Sequence, residues 1–338
     1  MTVGVGLIGA GRMGSVLGQH LATSVPGAAF IALAEPDAEA GQAAGRRFGV
    51  PHVYTNYAAL LARDDVQAVV IATPTSSHVE VILAAAAAGK HIFTEKPLAL
   101  TLAGCDQAIA AVEAAGVKLQ VGFMRRFDDA YLAAKEQIVG GTIGRPVLFR
   151  SVSRDPWRTS LDYARREVSG GLIADMGVHD FDLARWLMGS EVERVSSEGG
   201  CLVFPELGEV GDIDNAVVNL RFANGAVGGV DLSRNAIYGY DIRTEVVGSE
   251  GSVFVGGLQG KMTWTLRRGQ IAHDTIPGFM QRFGPAYTAE MQAFVRCLAE
   301  ERPVAVSGAD ARQAAAIAIA ATRSFDEGRP VALSEVTG

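Results

Sequence analysis

Three groups of residues in this chain have types and spacings that can do chemistry. The first is Gly9-Ala10-Gly11-Arg12-Met13-Gly14, a G-x-G-x-x-G run. Glycines so spaced allow a tight turn and a close backbone approach, and a pyrophosphate can then rest on the positive end of the following helix. Such a run can also be an ordinary glycine turn, so its flanks carry the argument. The apolar stretch Val3 to Ile8 leads into it, and a helical pattern begins near Arg12. About twenty residues further on stands Glu35, where a carboxylate can accept hydrogen bonds from both ribose hydroxyls. A 2'-phosphate would meet that carboxylate, and no arginine adjoins it, so NAD is expected over NADP. The other reading of Glu35 is a solvated glutamate in a turn with Pro36 and Asp37.

The second group is Glu95-Lys96-Pro97, just after the apolar run His91 to Thr94. Open α/β sheets bind ligands at the carboxyl ends of their strands. Lys96 there would face the nicotinamide and could polarise a substrate oxygen; outside that context it would be a surface turn residue. Thr73-Pro74-Thr75-Ser76-Ser77-His78 ends another such strand. Thr73, Pro74 and His78 are accordingly placed near the cofactor, with Ser76 or Ser77 capping a helix and His78 packing structurally.

The third group is the segment Gly170 to Asp182. Read as one helix, it sets Leu172, Met176, His179, Leu183 and Trp186 in one stripe. Asp175 stands four residues before His179 and Asp182 three after it, so either carboxylate could orient or charge-stabilise the imidazole; Asp180 points elsewhere. A histidine on an apolar face is also a common core residue. A metal site is not expected, because no second histidine or cysteine joins the group.

The elements that must position these residues follow from the apolar patterning. Up to about residue 123, short apolar runs alternate with alanine-rich stretches, the grammar of βαβ units in a parallel sheet. Strands are expected at 3–8, 29–34, 68–72, 91–94 and 119–123, with helices beginning near Arg12, Asp37, Ser76 and Thr101. After Arg145-Pro146 come longer alternating strands, PVLFRSVSR, NAVVNLRF, AVGGVDLSR, TEVVG and GSVFVG. Turns at Ala223-Asn224-Gly225 and Gly248-Ser249-Glu250-Gly251 predict antiparallel hairpins. Helices near 286–300 and 309–327 precede a last short segment, PVAL. Two domains result, 1–123 and 124–338, with the final residues expected to be able to pack back near the first.

With 338 residues, a formal charge of -7 and no long charged block, the chain has no electrostatic footprint for nucleic acid or anionic lipid. No apolar run approaches a membrane span, and the first residues lack a basic leader region, so a cytoplasmic protein with small-molecule partners is expected. Cys105, Cys201 and Cys297 are too scattered for a disulfide framework or zinc site, and are expected to be small buried residues.

In this order, GAGRMG, TPTSSH, EKP and DMGVHDFD resemble the Gfo/Idh/MocA oxidoreductase family over nearly the whole chain. Gly122 to Phe127, Arg154-Asp155-Pro156, Gly211 to Asp214 and Tyr238 to Asp241 are similar to its inositol 2-dehydrogenase branch. The resemblance implies an α/β chain: a Rossmann domain, then an α+β domain with an open, mainly antiparallel sheet, commonly assembled as a homotetramer through that sheet. It further implies NAD-dependent oxidation of a ring alcohol of a cyclic polyol, with Lys96, Asp175 and His179 catalytic. Arg126, Asp155, Trp157 and Tyr240 are the expected readers of the other hydroxyls. The rival substrate is a pyranose sugar; the rival of another class is a silent NAD-binding sensor. Three departures from the family pattern stand out: Glu35 in place of aspartate, Gly177 inside the catalytic helix, expected to permit close packing on a ligand, and Trp157 to Ser160 after the RDP motif.

Overall fold

The computed structural model describes residues 2–261 and 263–337. Two compact units divide the chain: Met1–Phe127 with Pro285–Ala315, and Asp128–Gly284 with Ala316–Gly338.

The first unit holds six parallel strands: β1 (Val3–Ile8), β2 (Ala28–Ala34), β3 (His52–Tyr54), β4 (Ala68–Ile71), β5 (His91–Glu95) and β6 (Leu119–Gly122). Their order is β3-β2-β1-β4-β5-β6. Every residue of β1 and β4 is buried, as continuous apolar strands covered on both faces must be. The order reverses between β1 and β4, and the loops after those strands, which carry Gly9 and Thr73, leave from that switch point. Helices follow the strands as expected, two with side-chain caps: Asp37 accepts from the amides of Glu39 and Ala40, and Thr101 from that of Gly104. β3 and the helix Tyr57–Leu61 were not foreseen, since three and five residues are too few to show a period.

After the boundary the chain returns to the first unit, by residues 285–315 and not by the final ones. Residues 285–315 join the first unit through Phe294, whose ring centroid lies 5.9 Å from that of Phe93, and through a 3.1 Å bond from the Val121 amide to the Val306 carbonyl. The helix Phe279–Ala299 starts before the expected position and carries Pro285 within it.

In the second unit, β7 (Pro146–Arg154), β8 (Val192–Gly200), β9 (Asn215–Phe222), β10 (Val227–Ser233), β11 (Asp241–Gly248) and β12 (Ser252–Gly256) form a sheet. β13 (Trp264–Arg267) and β14 (Gln270–His273) pair separately, and β15 (Val331–Ala332) completes the large sheet in the order β12-β11-β7-β10-β9-β8-β15. All its pairs are antiparallel except β10 with β7. Burial alternates along β9 and β12, so one face is packed and the other open. The hairpins at Asn224-Gly225 and Ser249-Glu250 stand where the turn residues place them. β8 and the β13–β14 hairpin lack a strong alternating signal and went unread. Helix Gly177–Met188 packs on β7 and β10.

Candidate functional site

The first cluster lies in the nucleotide-binding unit. Gly9 adopts φ +95°, and a Cβ on Gly14 would lie 2.0 Å from the Gly9 carbonyl oxygen, so both positions exclude side chains for geometric reasons. Around Gly11, space is open within 4 Å. No side chain caps the helix Arg12–Thr23 that starts there, and the amides at a helix start, which bond no carbonyl of their own helix, are the groups that bind anions. Glu35 follows β2; its Oε2 accepts the Ala10 amide at 2.7 Å and its Oε1 the Asp37 amide at 3.3 Å. Those bonds fix the carboxylate beside the glycine turn and leave lone pairs for hydroxyl donors. An open glycine turn, an uncapped helix start and an anchored carboxylate fit the pyrophosphate and ribose of NAD. Removing the charged acceptor in Glu35→Ala should weaken NAD binding roughly 10- to 100-fold, as for other hydrogen bonds to charged groups. Fluorescence titration would read this, and unchanged affinity would remove Glu35 from the site.

At the end of β4 the Thr73 hydroxyl oxygen is buried without a partner. His78, 1% exposed, sets Nδ1 2.8 Å from the Pro97 carbonyl oxygen and Nε2 3.0 Å from that of Thr73. It thereby ties the loop after β4 to the turn after β5. Burial pushes its pKa below the ordinary value, against the pull of the two carbonyls. Neither Ser76 nor Ser77 caps the next helix: a 3-10 turn, Thr75–Ser77, precedes it, and the Ser77 hydroxyl donates to the Pro74 carbonyl instead. Lys96 is half-buried, and its bond to Pro97 is cis. Its amide donates to Glu95 Oε2 at 3.2 Å. Burial pushes the Glu95 carboxyl up to about 7, while the charges of Lys96 and Arg12 pull it down.

A second cluster lies in the other unit. The expected single helix is two, Gly171–Asp175 and Gly177–Met188, with Met176 between them. Its stripe holds in burial, since Leu172, Met176 and Leu183 are enclosed and His179 is half-buried. Asp175 Oδ1 accepts from the Tyr163 hydroxyl at 3.0 Å, and Oδ2 lies 3.5 Å from Arg234 Nη2. The same Nη2 is 3.7 Å from Asp212 Oδ2, and Asp212 Oδ1 accepts the Leu172 amide at 2.7 Å. One buried guanidinium thus stands between two carboxylates, one holding the start of the site helix and the other ending it. Burial raises the Asp212 pKa; the Leu172 amide and Arg234 oppose that shift. Asp180 does point elsewhere, accepting a bond from the Ser151 hydroxyl of β7. Asp182 is buried at 1% exposure.

The expected hydroxyl readers have varied settings. Arg126, 8% exposed, pairs with Asp310 at 3.1 Å. Asp155 bonds through its backbone to Ser233 and Ala236. Tyr240 is buried, its ring edge-on to Phe283 with centroids 6.3 Å apart. Trp157 is 48% exposed, with its ring against Gly278, where a Cβ would lie 3.1 Å from Cη2. Gly177 is corrected: a Cβ there would lie 3.1 Å from Leu232 Cδ1, so the close packing it permits is of helix on sheet. Cys201 is also corrected: it is only half-buried, with its thiol donating to the Asp212 carbonyl oxygen; Cys105 and Cys297 are buried. Tyr163 and Arg234 went unread. Arg234 had a signal: it continues the inward parity Gly228, Val230, Leu232, where an arginine needs a buried partner.

Both units match models of one family: residues 3–123 the oxidoreductase family's NAD-binding Rossmann fold, and 135–333 its C-terminal alpha/beta domain. Fold and site define an NAD-dependent oxidoreductase acting on CH-OH groups. The chain belongs to the Gfo/Idh/MocA oxidoreductase family. It is 40% identical over 335 residues to myo-inositol 2-dehydrogenase of Thermotoga maritima, covering 99% of each chain. Over 97% of its length and 95% of the other's, it is 39% identical to scyllo-inositol 2-dehydrogenase (NAD(+)) of Bacillus subtilis. The solved scyllo-inositol dehydrogenase of Lactobacillus casei, with NAD(H) and scyllo-inositol bound, superposes with a TM-score of 0.94 at 29% identity, covering 99% of this chain and 100% of that one.

Proposed function

We propose that this protein is an inositol 2-dehydrogenase, oxidising one ring CH-OH of myo- or scyllo-inositol to the ketone with NAD+. The observation that carries this reading is full-length likeness to enzymes of that activity, with the nucleotide features intact. Bound NAD+ supplies the hydride acceptor. His179 takes the hydroxyl proton as general base, and Asp175 orients the imidazole and stabilises its cation. Lys96 offsets the negative charge that develops on the substrate oxygen. Arg126, Asp155, Trp157 and Tyr240 are proposed to shape recognition of the remaining hydroxyls, directly or by holding the groups that touch them.

Among the described residues, no helix is long and apolar enough to cross a membrane. We place the protein in the cytoplasm as a homotetramer assembled through the open sheet face. Val217, Val227 and Phe254, 49%, 43% and 60% exposed on strands of that sheet, support this assembly. Oxidation rates with NAD+ and NADP+ across myo-inositol, scyllo-inositol and free aldoses test the reading. Activity on either inositol with NAD+ is expected; turnover of aldoses alone would overturn it.

A further inference from the structure

Glu290 has no part in the scheme above. It lies in the helix Phe279–Ala299, is 0% exposed, and neither of its carboxyl oxygens has a hydrogen-bond partner. Its backbone carbonyl accepts from Gln120 Nε2 at 3.1 Å, which fixes this turn of helix against β6. In the sheet, Glu95 of β5 pairs with Gly122 of β6, and a Cβ on Gly122 would lie 3.3 Å from Glu95 Oε2. Glu95 Oε1 is likewise buried without a partner. Phe294, one helical turn after Glu290, lies against Phe93, which shares a strand face with Glu95, so the two enclosed carboxyls belong to one region at the carboxyl end of β5, from which Lys96 departs.

Both cannot be ionised, because a buried charge without a partner is costly and a second like charge adds to the cost. Glu95 faces the Lys96 and Arg12 charges, which stabilise its anion. Glu290 faces the Glu95 charge alone among the described residues, and that charge and burial both raise its pKa well above the ordinary range. The proton therefore belongs on Glu290.

We propose that Glu290 is a positioning residue for Lys96: a buried neutral carboxylic acid near Glu95 that leaves Glu95 as the anion supplying Lys96 with a counter-charge. The kinetic consequence rests on the catalytic reading of Lys96; the protonation does not.

Infrared titration of the full-length protein without cofactor is the primary test. A carbonyl stretch from a protonated carboxylic acid should persist above the Glu95 titration at about 7 and vanish there in Glu290→Gln. Glu95→Gln removes the neighbouring charge, so the band that remains should titrate at lower pH than in the wild type. In turnover, Glu290→Leu replaces a polar neutral group near Glu95 by an apolar one and should lower kcat about tenfold with little change in KM, the scale of a tenfold change in the Glu95 ionisation equilibrium that supplies Lys96 with its counter-charge. Glu290→Gln, which keeps a neutral polar side chain at that place, should recover most of that loss and remove one ionisation from the pH profile. Absence of the band in the wild type above the Glu95 titration overturns the proposal, even if Glu290→Leu fails to fold. So does a folded Glu290→Leu with wild-type kcat and pH profile. If no inositol is turned over while the band behaves as described, the function proposed above fails and the buried acid stands.

Discussion

Replacing His179 with glutamine should lower the turnover of inositol about a thousandfold, within the range a positioned general base contributes. Glutamine keeps the size and polarity of the side chain but cannot take a proton at neutral pH. The residues fitted to pyrophosphate and ribose, from Gly9 to Gly14 and Glu35, lie in the other unit, so NAD affinity should stay near its wild-type value. Turnover should also lose the acid limb that a histidine base imposes on the pH profile. Lys96→Met should cost about a hundredfold or more, as expected for the loss of one preorganised group opposite a developing oxyanion. Steady-state kinetics with a separate NAD titration read both effects. If His179→Gln keeps a tenth of the wild-type rate, the base has been assigned to the wrong residue.

How far this site was legible depends on the range over which each signal acts. The glycine turn, Glu35 and Lys96 occupy fixed places around parallel strands, so a local pattern of strand, loop and helix located them. Caps at Asp37 and Thr101 are equally local, each side chain bonding amides two or three residues on. What failed needed contacts distant along the chain. Glu290 meets the Glu95 region only because 285–315 returns to the first unit, and no composition shift marks that return. Gly177 read as room for a ligand because Leu232, the neighbour that fills the room, lies 55 residues away. Helix continuity through Met176 was also over-read, since an apolar stripe survives a one-residue break. Arg234 falls between these cases: its inward parity was visible, its partners Asp175 and Asp212 were not.

Arg234 should carry the largest stability effect of any single residue at this site. Its side chain is 2% exposed and lies 3.5 Å from Asp175 and 3.7 Å from Asp212. Burying a guanidinium is itself costly, so the intact group is not a large net gain over an apolar filling. Removing only the cation is different, because two carboxylates then remain in a site built to hold them beside a positive charge. Arg234→Met should therefore destabilise the protein by about 3–5 kcal/mol, the usual cost of breaking a buried pair from one side. Chemical denaturation followed by fluorescence would measure this. Adding Asp212→Asn removes one of the stranded charges while its side-chain carbonyl can still accept the Leu172 amide, so part of the loss should return in the double variant. Turnover should not return with it, because Asp175 keeps Tyr163 but still lacks the guanidinium that holds its other oxygen. A separation of recovered stability from unrecovered kcat would mark Arg234 as holding Asp175, the proposed catalytic carboxylate, in place. Simple additivity of the two substitutions in stability would instead mean that Asp212 and Arg234 do not share a charge network, and the arrangement around Asp175 would need another explanation.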